Sequence, residues 1–191
     1  MSVSKANICD ENVLAADVRP RWLRKIPPSL RTFAVKLGFN FHPAFLGAGG
    51  HVDYVSEDLS QIRMRLPLNW RTKNMVGSLF GGSLFAITDG VHMAMLSLKL
   101  GREYIIWDRS AKIRFLKPGF CDLYAEFTIS KDEISSIRAE VVQNGEIKRN
   151  YLVELKDKSG SVYAIVEREI YIANKEFHKN KQNLKKATNL I

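Results

Sequence analysis

Phe80-Gly81-Gly82-Ser83-Leu84-Phe85-Ala86-Ile87-Thr88-Asp89-Gly90-Val91-His92-Met93-Ala94-Met95-Leu96-Ser97-Leu98-Lys99-Leu100-Gly101 is an apolar run with a single carboxylate in its middle. Its length and composition predict one buried helix over 81–100, about twenty residues or roughly 30 Å long. Gly101 stands where a C-cap glycine belongs. Asp is seldom buried without a partner or a task, so Asp89 is either held by hydrogen bonds or kept for chemistry. Gly81 and Gly82 open the helix, where backbone N–H groups lack intrahelical partners. Such a terminus favours negative charge, and small residues let a ligand oxygen come close.

On a helical wheel Gly82, Phe85, Met93 and Leu96 fall within about 40° of Asp89, and His92 within about 60°. The face around Asp89 is therefore apolar except for His92. Gly81 lies eight residues earlier, about 12 Å along the axis, so one helix cannot easily bring its end donors and its carboxylate to one carbonyl. Two antiparallel copies can, with Gly81 of one chain opposite Asp89 of the other. The expected assembly is a homodimer with shared sites, with pairing of dimers into a homotetramer left open.

The chain has 191 residues, enough for one domain with a full core. Two cysteines, Cys9 and Cys121, give no disulfide framework, which suits a reducing compartment, and 1–17 shows no secretory pattern. The expected location is cytoplasmic. The run Met75–Leu98 contains four glycines, an Asp and a His, which reads as a buried helix rather than a membrane span. Residues 19–36 carry six Lys/Arg and no acid, and 175–191 carry five Lys and one Glu; together these account for the net charge of +9. Basic termini can meet nucleic acid, an anionic membrane or a phosphate-bearing ligand. Solvated surface charge is the expected role, with membrane contact by the termini as the lesser alternative.

Residues 1–17 are polar and irregular and are expected to be mobile. Residues 18–173 read as a single domain, with an amphipathic basic arm and helix over 19–38 and a basic tail over 174–191. Pro27-Pro28 introduces the arm's helix, with Leu30, Phe33, Ala34 and Leu37 expected to pack on the domain and Gly38 at its end. Gly47-Ala48-Gly49-Gly50 reads as a turn before a strand. Ile62, Met64 and Leu66 alternate with Gln61, Arg63 and Arg65, a strand of period two. After Gly101 almost everything reads as strand: Tyr104–Leu116, ended by Pro118-Gly119; Leu123–Ile129; Ile137, Ala139 and Val141 up to an Asn144-Gly145 hairpin; Tyr151–Leu155; and Val162–Ile172. The fold class is α+β, a curved antiparallel sheet wrapped around one long central helix, with an extra N-terminal helix.

The pattern Asn74-x-x-Gly77-x-x-Phe80-Gly81-Gly82-x6-Asp89, followed by Ile113-Arg114-Phe115-Leu116-Lys117-Pro118-Gly119, resembles the hotdog-fold thioesterase superfamily over roughly 38–172. It is similar to the phenylacetyl-CoA thioesterase-like branch, whose helix starts His-Gly-Gly and carries an Asp at this spacing. Thr88-Asp89, Leu100-Gly101-Arg102-Glu103-Tyr104 and Trp107-Asp108 extend the likeness toward an uncharacterised bacterial branch of unknown function. The resemblance implies an acyl-CoA or other acyl thioester bound at the dimer seam, with CoA as part of the substrate and no separate cofactor. Gly81 N–H would polarise the thioester carbonyl. Asp89 of the partner chain would attack it or deprotonate a water. Asn74 would hold that water or brace its loop, and Gly82, Phe80, Phe85 and His92 would line the substrate. Phe80 stands where that branch has His, so the aromatic ring would line an acyl pocket instead of orienting the thioester.

Each of these residues also has a structural role to offer. Asp89 and Asn74 can tie loops, Gly81 and Gly82 can serve close packing, and His92 can be an ordinary core histidine. Trp107 and Asp108 read as stabilising the long strand or the dimer contact, and Lys117 as a turn lysine. The function implied is thioester hydrolysis; the alternative is a non-catalytic acyl-ligand-binding or regulatory protein that needs only the pocket. A hotdog hydratase is disfavoured because its Asp-x4-Asn-Pro-x-His signature is absent. Nucleic acid is not an expected partner, since no recognition motif accompanies the basic termini. His42, His51, His92 and His178 are scattered, so no metal is expected.

Overall fold

The computed structural model describes residues 27–188. The expectations for 1–17 and for the arm up to residue 26 fall outside the described residues. The elements run α1 (Pro28–Asn40), α2 (Pro43–Ala48), β1 (His51–Val55), β2 (Gln61–Leu66), α3 (Gly81–Ala86), α4 (Val91–Leu100), β3 (Tyr104–Phe115), β4 (Leu123–Thr128), α5 (Lys131–Asn144), β5 (Glu146–Lys156), β6 (Val162–Asn174) and α6 (Lys175–Thr188). The six strands form one curved sheet in the order β1-β2-β4-β5-β6-β3, antiparallel at every pairing.

Period-two alternation builds the inner face. Ile62, Met64 and Leu66 of β2, Leu123, Ala125 and Phe127 of β4, Val153 and Leu155 of β5, and Ala164, Val166, Ile170 and Ile172 of β6 are all buried. Against this face lies α4, which buries Val91, His92, Met95, Leu96 and Leu100. The burial of so much aliphatic surface is the main stabilising term, at about 25 cal/mol per Å² of apolar area.

Three local expectations are corrected. The run 81–100 is not one helix. Thr88 and Asp89 make short-range N–H bonds to Phe85 and Ala86 carbonyls, and Gly90 at φ 69° turns the chain before α4 restarts. A left-handed residue cannot sit inside a right-handed helix, and only glycine takes that conformation without strain. Asp89 therefore occupies a turn rather than a buried mid-helix position.

The segment holding Ile137, Ala139 and Val141 is helix α5, not a strand. Ser130 Oγ accepts the Glu133 N–H at 3.0 Å, and the buried residues Ile134, Ile137 and Val141 recur at helical spacing. Asn144-Gly145 ends that helix instead of turning a hairpin, with Gly145 at φ 77°.

The N-terminal helix extends past Gly38 to Asn40, and its apolar stripe faces outward. Val35 is its buried contact, while Leu30, Phe33 and Leu37 are exposed. Phe39, partly buried, also packs on the core, and polar bonds add to the hold. Lys36 donates to the Asp53 carbonyl, and Asn40 both donates to the Val52 carbonyl and accepts its N–H. The C-terminal segment, read only as a basic tail, forms α6 after Asn174, where Asn174 Oδ1 accepts from Glu176 and Phe177 N–H.

Candidate active site

The break between α3 and α4 presents Asp89 to solvent. Its side chain is 66% exposed, yet Oδ1 is held at 2.6 Å by Nη1 of Arg168, which is itself 2% exposed. Arg168 sits on β6 at an inward position of the alternation Ala164-x-Val166-x-Arg168-x-Ile170-x-Ile172. A buried guanidinium needs every donor used. Nη1 also reaches Asp108 Oδ2 at 3.3 Å. Nε and Nη2 reach Thr88 Oγ1 at 3.3 and 3.1 Å, and Nη2 donates to the Phe85 carbonyl at 3.4 Å. The guanidinium carbon lies 5.0 Å from the centre of the Phe85 ring, a cation–π contact.

Asp108 comes from β3, where a bulge between Asp108 and Ser110 shifts the pairing with β6. Its Oδ2 also accepts the Gly90 N–H at 3.3 Å, while Oδ1 is enclosed with no bond among the described residues. Burial pushes the Asp108 carboxyl above the usual aspartate range; Arg168 opposes the rise, and Asp89 adds to it.

Gly81 and Gly82 begin α3 behind Phe80, and among the described residues no side chain caps that N-terminus. Phe80 folds over Gly82, where a Cβ would run into its ring, and a Cβ on Gly81 would meet Phe115 Cζ at 3.0 Å. The need for glycine here is close approach, since neither has positive φ. Phe80 and Phe115 are 56% and 54% exposed, so an aromatic pair covers the uncapped helix end at the surface.

The other candidates fall elsewhere. Asn74 is turned into its own loop: Oδ1 accepts from Val76 and Ser78 N–H, and Nδ2 donates to Ser78 Oγ. That arrangement braces the loop leading to Phe80, whose N–H donates to the Thr72 carbonyl. His92 points into the core, stacked on Tyr151 at 4.3 Å and edge-on to Phe127 at 5.1 Å. Burial, helped by the Arg168 charge, lowers its pKa to about 4, so the ring is neutral at physiological pH. Phe85 is half-buried beneath Arg168.

Arg168 was not among the residues singled out from sequence. One signal could have found it: a cation in the inward register of an otherwise apolar strand. A concavity of about 660 Å³ lies away from this cluster, on the outer face of the sheet among Asp53, Arg63, Arg65, Tyr124 and Glu126. Arg63 and Arg65 there are paired with Asp53 and Asp122. Among the described residues no group of three or more His, Cys, Asp or Glu could hold a metal ion. No described helix is long and apolar enough to cross a membrane.

The fold is shared with solved structures. A Pseudomonas aeruginosa protein of unknown function, described as a probable thioesterase, is 19% identical, with 78% of this chain and 97% of that one covered and a TM-score of 0.66. A protein of unknown function from Chlorobaculum tepidum is 12% identical over 78% of this chain and 97% of that one, with a TM-score of 0.62. A thioesterase from Haemophilus influenzae is 15% identical over 70% and 85%, with a TM-score of 0.54. At these identities the likeness establishes the hotdog fold and leaves the chemistry to the residues. No curated protein matches. The family model of a domain of unknown function (DUF4442) matches residues 31–172, and the chain belongs to that family.

Proposed function

We propose that the protein hydrolyses an acyl thioester, such as an acyl-CoA, at a site shared between two copies of the chain. The observation that carries this reading is the Asp89 carboxylate, turned to solvent yet anchored by a buried guanidinium. An exposed aspartate with no task has little reason to be fixed by a buried arginine, because such an arrangement costs desolvation.

The shared site rests on what one chain leaves uncovered. Among the described residues, edge strand β3 pairs with β6 on one side only. Register places Ala111 opposite the inward-facing Arg168, yet Ala111 is exposed. A twelve-residue edge with an uncovered inner face invites a second copy. Trp70, Met75, Val76, Phe120 and Leu116 add exposed apolar surface for an acyl chain or a partner.

In the proposed reaction the Gly81 N–H, at the uncapped start of α3, polarises the thioester carbonyl. Asp89 of the partner copy takes a proton from water as its oxygen adds to the carbonyl carbon. Collapse of that adduct breaks the C–S bond, and the proton passes from Asp89 to the departing thiolate. Asn74 keeps the loop before Phe80 in place. Phe80 and Phe115 flank the helix end as walls for the acyl group.

The test is thiol release from short, long and aromatic acyl-CoAs by wild type and Asp89→Asn. The reading requires turnover that falls at least about 100-fold in the variant with folding intact. Equal turnover in both would remove Asp89 from the chemistry. The second reading, an acyl-ligand binder without catalysis, is favoured by Phe80, which leaves no imidazole beside the glycines. Tight acyl-CoA binding without turnover by wild type would select it.

A further inference from the structure

We propose that Arg168 and Asp108 are positioning residues for Asp89, the three acting as one ionic unit in which a single guanidinium serves two carboxylates. The inference rests on the reading of Asp89 above for its catalytic consequence, but the unit itself stands on geometry. Nη1 of Arg168 is the shared donor, at 2.6 Å from Asp89 and 3.3 Å from Asp108. Among the described residues no other cation is paired with either acid.

Charge counting gives the unit its property. Two ionised carboxylates and one guanidinium leave a net negative charge around a buried group. One retained proton makes the cluster neutral. Asp108 is the acid that keeps it, because it is the more enclosed of the two: its side chain is 20% exposed against 66% for Asp89. Its Oδ1, enclosed and without a bond among the described residues, is a poor place for full negative charge. The raised titration of Asp108 agrees with this assignment.

Position follows from protonation. With Asp108 neutral, Arg168 belongs to Asp89, which is held at the mouth of the α3–α4 turn. When Asp108 ionises, Nη1 is divided and the second negative charge repels Asp89 from its seat. The fixed parts of the seat are Thr88, whose hydroxyl donates to the Phe85 carbonyl at 2.8 Å, and Gly90, whose N–H bonds Asp108. The remaining ionisable and charged groups around the unit are His92 of α4, neutral in the core, Tyr151 of β5, bonded to Glu133, and Arg109 of β3, which pairs with Glu169 of β6.

The experiment follows the side-chain carboxyl carbon of Asp108 by NMR through a pH titration of the full chain. Wild type is compared with Asp89→Asn and Arg168→Lys, and turnover is recorded against pH for wild type and Asp108→Asn. Asp89→Asn is expected to lower the Asp108 midpoint by about one unit, because a neighbouring negative charge is gone. Arg168→Lys keeps the charge without the fork, so Asp108 should stay close to wild type while turnover falls about tenfold through kcat rather than KM. Asp108→Asn should abolish the inflection in the pH–rate curve that coincides with the Asp108 midpoint. An Asp108 midpoint unmoved by Asp89→Asn would overturn the unit, as would a pH–rate curve unchanged in Asp108→Asn. The titration needs no turnover, so an inactive wild type would sink the hydrolase reading and leave the unit standing or falling on NMR alone.

Discussion

Replacing Arg168 with Met removes the cation and keeps most of the volume. The loss can be divided by partner. Asp89 is mostly exposed and returns to water, so its share is that of a surface pair, at most about 1 kcal/mol. The Phe85 carbonyl keeps the Thr88 hydroxyl and N–H as donors. Asp108, its side chain 20% exposed, has much less relief: among the described residues Oδ1 is enclosed without a partner and Oδ2 keeps the Gly90 N–H. Breaking a buried pair from one side costs about 3–5 kcal/mol, and with one acid able to resolvate the low end applies, about 3 kcal/mol at neutral pH. The pH dependence carries the mechanism. Burial already holds the folded Asp108 above its ordinary value, so the folded chain binds that proton more tightly than the unfolded chain. Stability therefore falls as pH rises from the ordinary aspartate range through the raised value. Loss of Arg168 raises that value further and deepens the fall. Near pH 4 the deficit of Arg168→Met should shrink to about 1 kcal/mol, the worth of ordinary hydrogen bonds. Urea unfolding midpoints at acidic and neutral pH measure both, provided the m-value is unchanged. Adding Asp108→Asn should recover more than half of the neutral-pH loss. A deficit that is equal at both pH values, or no recovery in the double variant, would mean that Arg168 does not offset a buried Asp108 charge.

Ser130→Ala should cost about 1 kcal/mol in thermal or urea unfolding, because the Ser130 hydroxyl accepts the Glu133 N–H that opens α5. His92 has its pKa lowered by burial to about 4, so the unfolded chain binds its proton more tightly. Its contribution is present above the ordinary histidine value and is lost as pH falls toward about 4, by up to about 3 kcal/mol. His92→Phe, which can still pack against Tyr151 and Phe127, should flatten the stability profile between about pH 6.5 and 4. Gly82→Ala must move the Phe80 ring; the expected result is a change in KM across acyl chain lengths with a stability loss under about 1 kcal/mol. An unchanged KM series would take Phe80 away from the acyl group.

The sheet was legible because its strands obey period two: Ile62-x-Met64-x-Leu66 and Leu123-x-Ala125-x-Phe127 each bury one face. The helix α5 was not, because Ile137 and Val141 also fit alternation with Ala139, and the deciding signal was the upstream Ser130-Lys131-Asp132-Glu133 capping sequence. The interrupted central helix turned on Gly90 alone, whose positive φ has no signature beyond the residue type. Asp89 and the two glycines could be picked out because a carboxylate and a Gly-Gly pair are conspicuous in an apolar run. What holds Asp89 was hidden by distance along the chain. Arg168 lies 79 residues away, and only the β3–β6 pairing and the α3–α4 turn bring it to the acid. The outward stripe of α1 was misjudged because an amphipathic pattern says which residues share a face, not which way that face points.

If one chain's Gly81 and another's Asp89 make one site, mixing subunits will rebuild it. Asp89→Asn and Gly81→Val are prepared separately, each with its fold and oligomeric state checked, then unfolded and refolded together in equal amounts. Every mixed dimer would contain one intact Gly81–Asp89 site, so two inactive preparations should recover about a quarter of wild-type thioester hydrolysis. No recovery on mixing, with mixed dimers shown to form, would contradict the shared site.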